Sequence, residues 1–224
     1  MINLEIERII SLYDDKRPED KEHVSSINGI LGEEMAAGIL GYYFKEEERV
    51  ENVKILDYKP TQGIRNGKRL DRWICVNSGG SNLFYQTEIK NWGSHSYGAQ
   101  KVILKDIKEY AIRSFAKQWA DGNMIHKDVK KVLLSMKKPK EFKPGDRILP
   151  LICFWFPICK NATEEMKPLF ETGISTPEST FDNLYFFSLS IYLRQLLEKG
   201  TSSIDIKANK FEKRMQIINE CVNG

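Results

Sequence analysis

The chain has few of the residues that build disulfide frameworks, zinc sites or histidine-based active sites. Its 224 residues include four cysteines and three histidines. The cysteines (Cys75, Cys153, Cys159 and Cys221) are scattered, and no two of them form a Cys-x-x-Cys pair. A disulfide framework or a zinc site is therefore not predicted, and all four are expected to be buried free thiols.

The sequence also lacks a long apolar run. No stretch approaches the roughly 18 apolar residues that a membrane span needs, and the acidic N-terminal segment lacks the basic and then apolar layout of a signal peptide. The composition, 41% hydrophobic and 29% charged, is ordinary for a globular protein. We expect one cytoplasmic domain over residues 1–224 that does not contact a membrane.

The net charge is only +3, but it is distributed unevenly. Residues 58–147 contain 19 basic and 8 acidic residues, whereas residues 1–57 contain 7 basic and 14 acidic ones. A concentrated basic excess favours an anionic partner such as nucleic acid, although a solvated lysine-rich surface gives the same pattern.

The central stretch 69–92 predicts a β-hairpin that carries charged residues. Two β-type runs, 70–77 and 83–91, flank a Ser-Gly-Gly-Ser-Asn connection. The first run carries Asp71, and the second carries Glu88 and Lys90, which leave the same face of a strand because they are two residues apart. Two carboxylates are suitable ligands for Mg²⁺, which also binds substrate phosphate. A neighbouring lysine could orient a water molecule or offset phosphate charge.

The pattern Asp71…Glu88-Ile89-Lys90 resembles the core motif of the PD-(D/E)xK nuclease superfamily, with Leu70 where that family often has proline. The resemblance spans about residues 28–122. It implies an α/β, restriction-endonuclease-like core over about residues 27–190. That core would be a central mixed β-sheet flanked by helices in αβββαβ order, with extra N- and C-terminal helices.

Periodicity predicts the elements around the hairpin. Helices are expected at 2–13, 27–45, 99–122, 191–199 and 207–222, and further strands at 53–58, 148–158 and 184–190. Gly29, Gly32, Gly38 and Gly41 lower the helix propensity of 27–45. We therefore expect this helix to approach a neighbouring element closely.

The resemblance implies roles for the residues of the motif. Asp71, Glu88, Lys90 and Glu34 would be catalytic, and Asp71, Glu88 and the carbonyl oxygen of Ile89 would hold Mg²⁺, or Mn²⁺ in its place. Glu34 is chosen because it lies at the edge of the apolar face of helix 27–45, whereas its neighbour Glu33 points away. Residues expected to contact nucleic acid surround the motif: Arg65, Lys68, Arg69, Arg72, Trp92, His95, Tyr97, Gln100 and Lys101.

These expectations together indicate a Mg²⁺-dependent endodeoxyribonuclease of restriction or defence type. The resemblance implies that it acts on DNA as a homodimer. Two alternatives on the same fold stay open, namely a structure-selective DNA-repair nuclease and a non-catalytic nucleic-acid-binding module. A protein-interaction domain in which the motif is coincidental is a third.

Overall fold

The computed structural model describes residues 1–14, 32–57, 71–78, 80–90, 102–108, 138–175 and 180–223. The helices are α1 (Ile6–Asp14), α2 (Glu33–Glu46), α3 (Leu189–Glu198) and α4 (Asn209–Asn223). The strands are β1 (Ile2–Glu5), β2 (Val53–Asp57), β3 (Arg72–Ser78), β4 (Ser81–Lys90), β5 (Val102–Ile103), β6 (Arg147–Phe154), β7 (Ile158–Cys159), β8 (Leu169–Ser175), β9 (Thr180–Ser188) and β10 (Ser203–Ile206).

A mixed six-stranded sheet forms the centre of the fold, in the order β2-β3-β4-β6-β9-β8. Strands β2, β3 and β4 are antiparallel neighbours, and β6 runs parallel to both β4 and β9. Strand β6 is buried from Leu149 to Phe154 because it is central and covered on both faces. The prediction of an α/β fold with a mixed sheet flanked by helices is confirmed.

The two faces of the sheet contribute to two separate hydrophobic clusters. Successive side chains of a strand point to opposite faces. Ile74 and Leu151 therefore pack with helices α2 and α3 on one face, and Trp73, Ile152 and Phe154 pack on the other. Both faces of most of the sheet are thus covered by apolar side chains. A polar site is therefore expected at the ends of the strands.

Helix α2 packs closely against two strands, as its glycines predict. A Cβ atom on Gly38 would lie 2.6 Å from Cδ1 of Ile206 on β10, and one on Gly41 would lie 3.1 Å from Cδ1 of Ile55 on β2. These glycines therefore allow α2 to lie close to both elements.

Gly38→Ala should lower the melting temperature by about 2–4 °C. The gain of about 1 kcal/mol in helix propensity is outweighed by overpacking, which typically costs about 1–3 kcal/mol. Adding Ile206→Val removes the atom 2.6 Å away and should restore most of the loss. Thermal unfolding of the single and double variants, with Gly41→Ala as a milder control, checks this; a Gly38→Ala variant more stable than the wild type would contradict the close approach.

Several elements differ from the sequence predictions. The first part of the helix expected over 2–13 is β1, because Ile2 and Leu4 pair with Ile206 and Ile204 of β10. Strands β8 and β10 were not predicted. Of the helix expected over 99–122, residues 102–103 instead pair with β7 and residues 104–108 are helical, while the remainder lies outside the described residues.

The prediction of four buried cysteines is correct for three of them. Cys75, Cys153 and Cys159 are buried, whereas Cys221 is exposed. Cys221 lies on α4, whose C-terminal half is largely exposed. No helix among the described residues is both long and apolar enough to cross a membrane.

Candidate active site

The hairpin register brings Asp71 to the end of β4. Strands β3 and β4 are antiparallel, with Arg72 opposite Thr87, so the same register extended by one residue places Asp71 opposite Glu88. Asp71 Oδ2 accepts a hydrogen bond of 2.6 Å from the backbone N–H of Ile89. The expected convergence of the first carboxylate with the Glu-x-Lys segment is therefore present.

Glu88 and Lys90 form a buried ion pair beside Asp71. Lys90 Nζ donates to Glu88 Oε1 at 2.7 Å, and the two residues are only 5% and 2% exposed. Burying a charge is costly unless it is paired. The sheet therefore keeps two charged side chains in its interior, at the point where β4 ends.

The environment of Asp71 disfavours its negative charge. Burial and the nearby charge of Glu33 raise the pKa of Asp71 from its ordinary 3.8 to about 6, against the lowering effects of the Ile89 hydrogen bond and the cations of Lys90 and Arg72. Burial and the charge of Asp71 likewise raise the pKa of Cys153 on the neighbouring strand β6. Burial is the larger cause at both groups, so this part of the sheet favours the neutral forms of the Asp71 carboxyl and the Cys153 thiol.

Glu33 is a residue of this site that sequence reasoning did not select. Its charge acts on Asp71, and it is half-buried rather than pointing away. Glu33 is the first residue of helix α2. The direction of a side chain in the first turn also depends on how the chain enters the helix, so the helical period alone did not predict it. The Glu33-Glu34 doublet beside Asp71 was the available signal, but it did not distinguish between the two residues.

Glu34 joins three structural elements through its hydrogen bonds. Its Oε2 accepts from Arg72 Nη2 at 2.8 Å, and its Oε1 accepts from the backbone N–H of Lys210 at 3.3 Å. Glu34 therefore connects helix α2 to the start of β3 and to the first turn of α4.

Arg72 points inward rather than toward solvent. Its Nη1 donates to the carbonyl oxygen of Asp71 at 2.6 Å, and its side chain, paired with Glu34, is 9% exposed. In the described state this guanidinium fixes the backbone at Asp71, which differs from the phosphate contact expected from the sequence.

Arg72→Met should destabilise the protein by about 3 kcal/mol, because it leaves the buried Glu34 without the guanidinium 2.8 Å away. Arg8→Met is the matched control, since the ion pair of Arg8 with Glu5 is exposed, with side chains 82% and 59% accessible. That change should have no measurable effect. Urea unfolding of both variants is the measurement; equal stability of the two would contradict a structural role for Arg72.

Of the remaining predicted site residues, only Ile89 lies in the described part of the chain. Its N–H bonds to Asp71, and its side chain packs in the core. The following lie outside the described residues: Arg65, Lys68, Arg69, Trp92, His95, Tyr97, Gln100 and Lys101.

The donors at the site fit Mg²⁺ in their chemistry. In the part of the chain that the structure describes, no group of three or more His, Cys, Asp or Glu side chains is arranged to hold a metal ion. Mg²⁺ binds through one or two carboxylates together with waters and substrate phosphate. Asp71 and Glu88 supply two carboxylates, and Glu33 adds negative charge near Asp71.

Comparisons of the chain with protein-family models, with curated proteins and with solved structures gave no match. The function of this chain must therefore be inferred from the geometry and chemistry of Asp71, Glu88 and Lys90.

Proposed function

We propose that the protein is a Mg²⁺-dependent endodeoxyribonuclease of restriction or defence type, with a restriction-endonuclease-like core. One observation carries the proposal: at the ends of two adjacent strands, Asp71 accepts from the Ile89 N–H at 2.6 Å and Lys90 pairs with Glu88 at 2.7 Å. The strand arrangement supports it, since α2 precedes the antiparallel β2, β3 and β4, and β6 lies parallel to β4.

Asp71 and Glu88 would hold the metal ion, with the carbonyl oxygen of Ile89 as a further ligand. When bound, Mg²⁺ supplies charge stabilisation at the scissile phosphate and the leaving 3′ oxygen. The protein itself would hold these ligand groups in position. The Ile89 N–H holds one oxygen of Asp71, and Arg72 holds the Asp71 backbone.

Lys90 would position the attacking water. Its ammonium group donates to Glu88 in the described state, and an ammonium group carries three N–H donors. In-line attack needs the water held opposite the leaving oxygen, and Lys90 at the end of β4 would supply a donor for that water once it is uncovered.

Access to Lys90 must change for this reaction to occur. Lys90 and Glu88 are 5% and 2% exposed, whereas Asp71 is partly exposed. A phosphodiester therefore approaches from the Asp71 side, and Lys90 must be uncovered as it binds. The same closed pair favours a second candidate, a non-catalytic nucleic-acid-binding module in which Glu88 and Lys90 are purely structural.

The direct test incubates the purified protein with supercoiled plasmid in Mg²⁺, in Mn²⁺ and in excess EDTA. We expect nicked or linear product with either metal and none with EDTA. Glu88→Gln should remove cleavage, while the surface variant Arg8→Met should cut like the wild type, which excludes a contaminating nuclease. Cleavage by Glu88→Gln equal to the wild type would overturn the proposal.

Substrate choice and assembly separate the remaining alternatives. Branched, flapped, single-stranded and duplex DNA distinguish a structure-selective repair nuclease from a restriction-type enzyme. Salt-dependent binding without cleavage would favour the non-catalytic module, and no DNA affinity at low salt would favour a protein-interaction domain. Light scattering after gel filtration tests the proposed homodimer.

A further inference from the structure

A polar cavity lies at the opposite end of the β3–β4 hairpin from Asp71. It has a volume of about 420 Å³, within the range of small-molecule sites. Following β3 from Asp71 to Asn77, the two places are about 20 Å apart. Besides the buried Cys75, the cavity is lined by Asn52, Lys54, Asn77, Asn82, Glu141 and Lys143.

Three asparagines form a row across neighbouring strands at this cavity. Asn77 on β3 is opposite Asn82 on β4, and the Asn77 N–H donates to the carbonyl oxygen of Asn52, next to β2, at 3.2 Å. Side chains directly opposite each other in an antiparallel pair share a face. The row therefore presents carboxamide groups side by side.

Asp146 fixes the direction of these amides. Its Oδ1 accepts from the Asn82 side-chain amide at 3.2 Å and from the Asn82 backbone N–H at 3.0 Å. Because a carboxylate only accepts, Asn82 turns its NH₂ toward Asp146 and its oxygen toward Asn77, whose NH₂ donates to it at 3.1 Å. The Asn77 oxygen is then the acceptor available to a ligand.

Positive charge borders the row of amides. Lys54 and Lys143 are exposed, and neither forms an ion pair within the part of the chain that the structure describes. The loop that carries Lys143 is held in place by Phe142, whose ring lies 5.3 Å from that of Phe84. The cavity thus combines two cations with hydrogen-bonding amides, beside the carboxylates of Glu141 and Asp146.

We propose that this cavity binds a nucleotide unit. Lys54 and Lys143 can bind a phosphate group. An asparagine carboxamide offers both a donor and an acceptor, which can pair with the edge of a base. Glu141 supplies an acceptor for a sugar hydroxyl. The same chemistry is presented by a nucleic-acid strand and by a free mononucleotide. The proposal does not depend on the cleavage activity at Asp71.

The test observes the asparagine side-chain amides of the intact chain by nitrogen-15 NMR. The chain is titrated with dAMP in one arm and with a single-stranded DNA hexamer in the other. Shifts of the Asn77 and Asn82 amides with dAMP identify a free-nucleotide site, and shifts with the hexamer alone identify a strand site. Absence of shifts in both arms overturns the proposal.

Two variants separate binding from folding. Lys54→Gln changes an exposed side chain. It should lower the affinity about tenfold for whichever ligand shifts the amides. For the hexamer, it should also reduce the slope of log affinity against log salt concentration by about one. Asn77→Ala should weaken binding similarly. Lys207→Gln, an exposed lysine on another part of the molecule, should bind like the wild type. Unchanged affinity of Lys54→Gln would refute the site whether or not the protein cuts DNA.

Discussion

Replacing Asp71 with asparagine should abolish DNA cleavage and also stabilise the protein at neutral pH. Asparagine keeps an oxygen that can accept from the Ile89 N–H, so the local fold is preserved. It removes a carboxylate from the proposed metal site, and we expect cleavage to fall by at least about 1,000-fold.

The stability change follows from the raised pKa of Asp71. Its pKa rises from 3.8 to about 6 on folding, so between these pH values the folded state binds more protons than the unfolded state. The free energy of unfolding therefore decreases as pH rises through this window, and the full penalty is present above pH 6. Asp71→Asn removes the penalty and should add about 3 kcal/mol at pH 7.5, with little difference below pH 4.

Urea unfolding at pH 4 and pH 7.5 measures this effect. Asp146→Asn is the control with the opposite sign, because hydrogen bonds from the backbone of Lys143 and Asn82 lower the pKa of Asp146. Its charged form stabilises the fold above its unfolded pKa, so Asp146→Asn should lower stability at pH 7.5. An Asp71→Asn protein that is less stable than the wild type at pH 7.5 would contradict the proposed electrostatics.

Lys90→Met should remove cleavage and destabilise the protein by about 3–5 kcal/mol. The change eliminates the ammonium that lies 2.7 Å from Glu88 Oε1 and leaves a carboxylate that is 2% exposed in the interior. Loss of the group that positions water should also reduce cleavage by about 100- to 10,000-fold.

The double variant Glu88→Gln/Lys90→Met separates the two effects. Removing both charges should recover most of the stability, because a neutral pair replaces a broken ion pair, but it should leave cleavage absent. Urea unfolding and the plasmid assay on the two single variants and the double variant complete a thermodynamic cycle. Retained cleavage in Lys90→Met would exclude a catalytic lysine, and unchanged stability would show that the buried pair is energetically unimportant.

Much of the sheet could be predicted because its signals are local. The hairpin at 70–91 has two β-type runs around a glycine-rich turn, and the apolar run 148–158 has the composition of a central strand. The resulting β3–β4 pairing is confirmed. By contrast, the helix predicted over 2–13 rests on Leu4, Ile6, Ile9 and Ile10, which offer an apolar face at helical spacing. Only pairing with β10, about 200 residues away, decides the outcome.

The site was predicted by residue type more successfully than by role. Asp71, Glu88 and Lys90 are on neighbouring strands, so a two-residue period and one turn were enough to place them together. Glu33, Glu34 and Arg72 depend on how α2 and α4 pack against β3, which no local pattern specifies. That packing decides that Glu34 pairs with Arg72 and that the charge of Glu33 acts on Asp71.

The pairing of β1 with β10 has a consequence for biosynthesis. Ile2 pairs with Ile206, so β1 cannot pair until about 200 further residues have been synthesised and β10 has left the ribosome. At about 5–20 residues per second, that delay is on the order of 10–40 s. During this time the apolar side chains of Ile2 and Leu4 lack the strand that finally pairs with them.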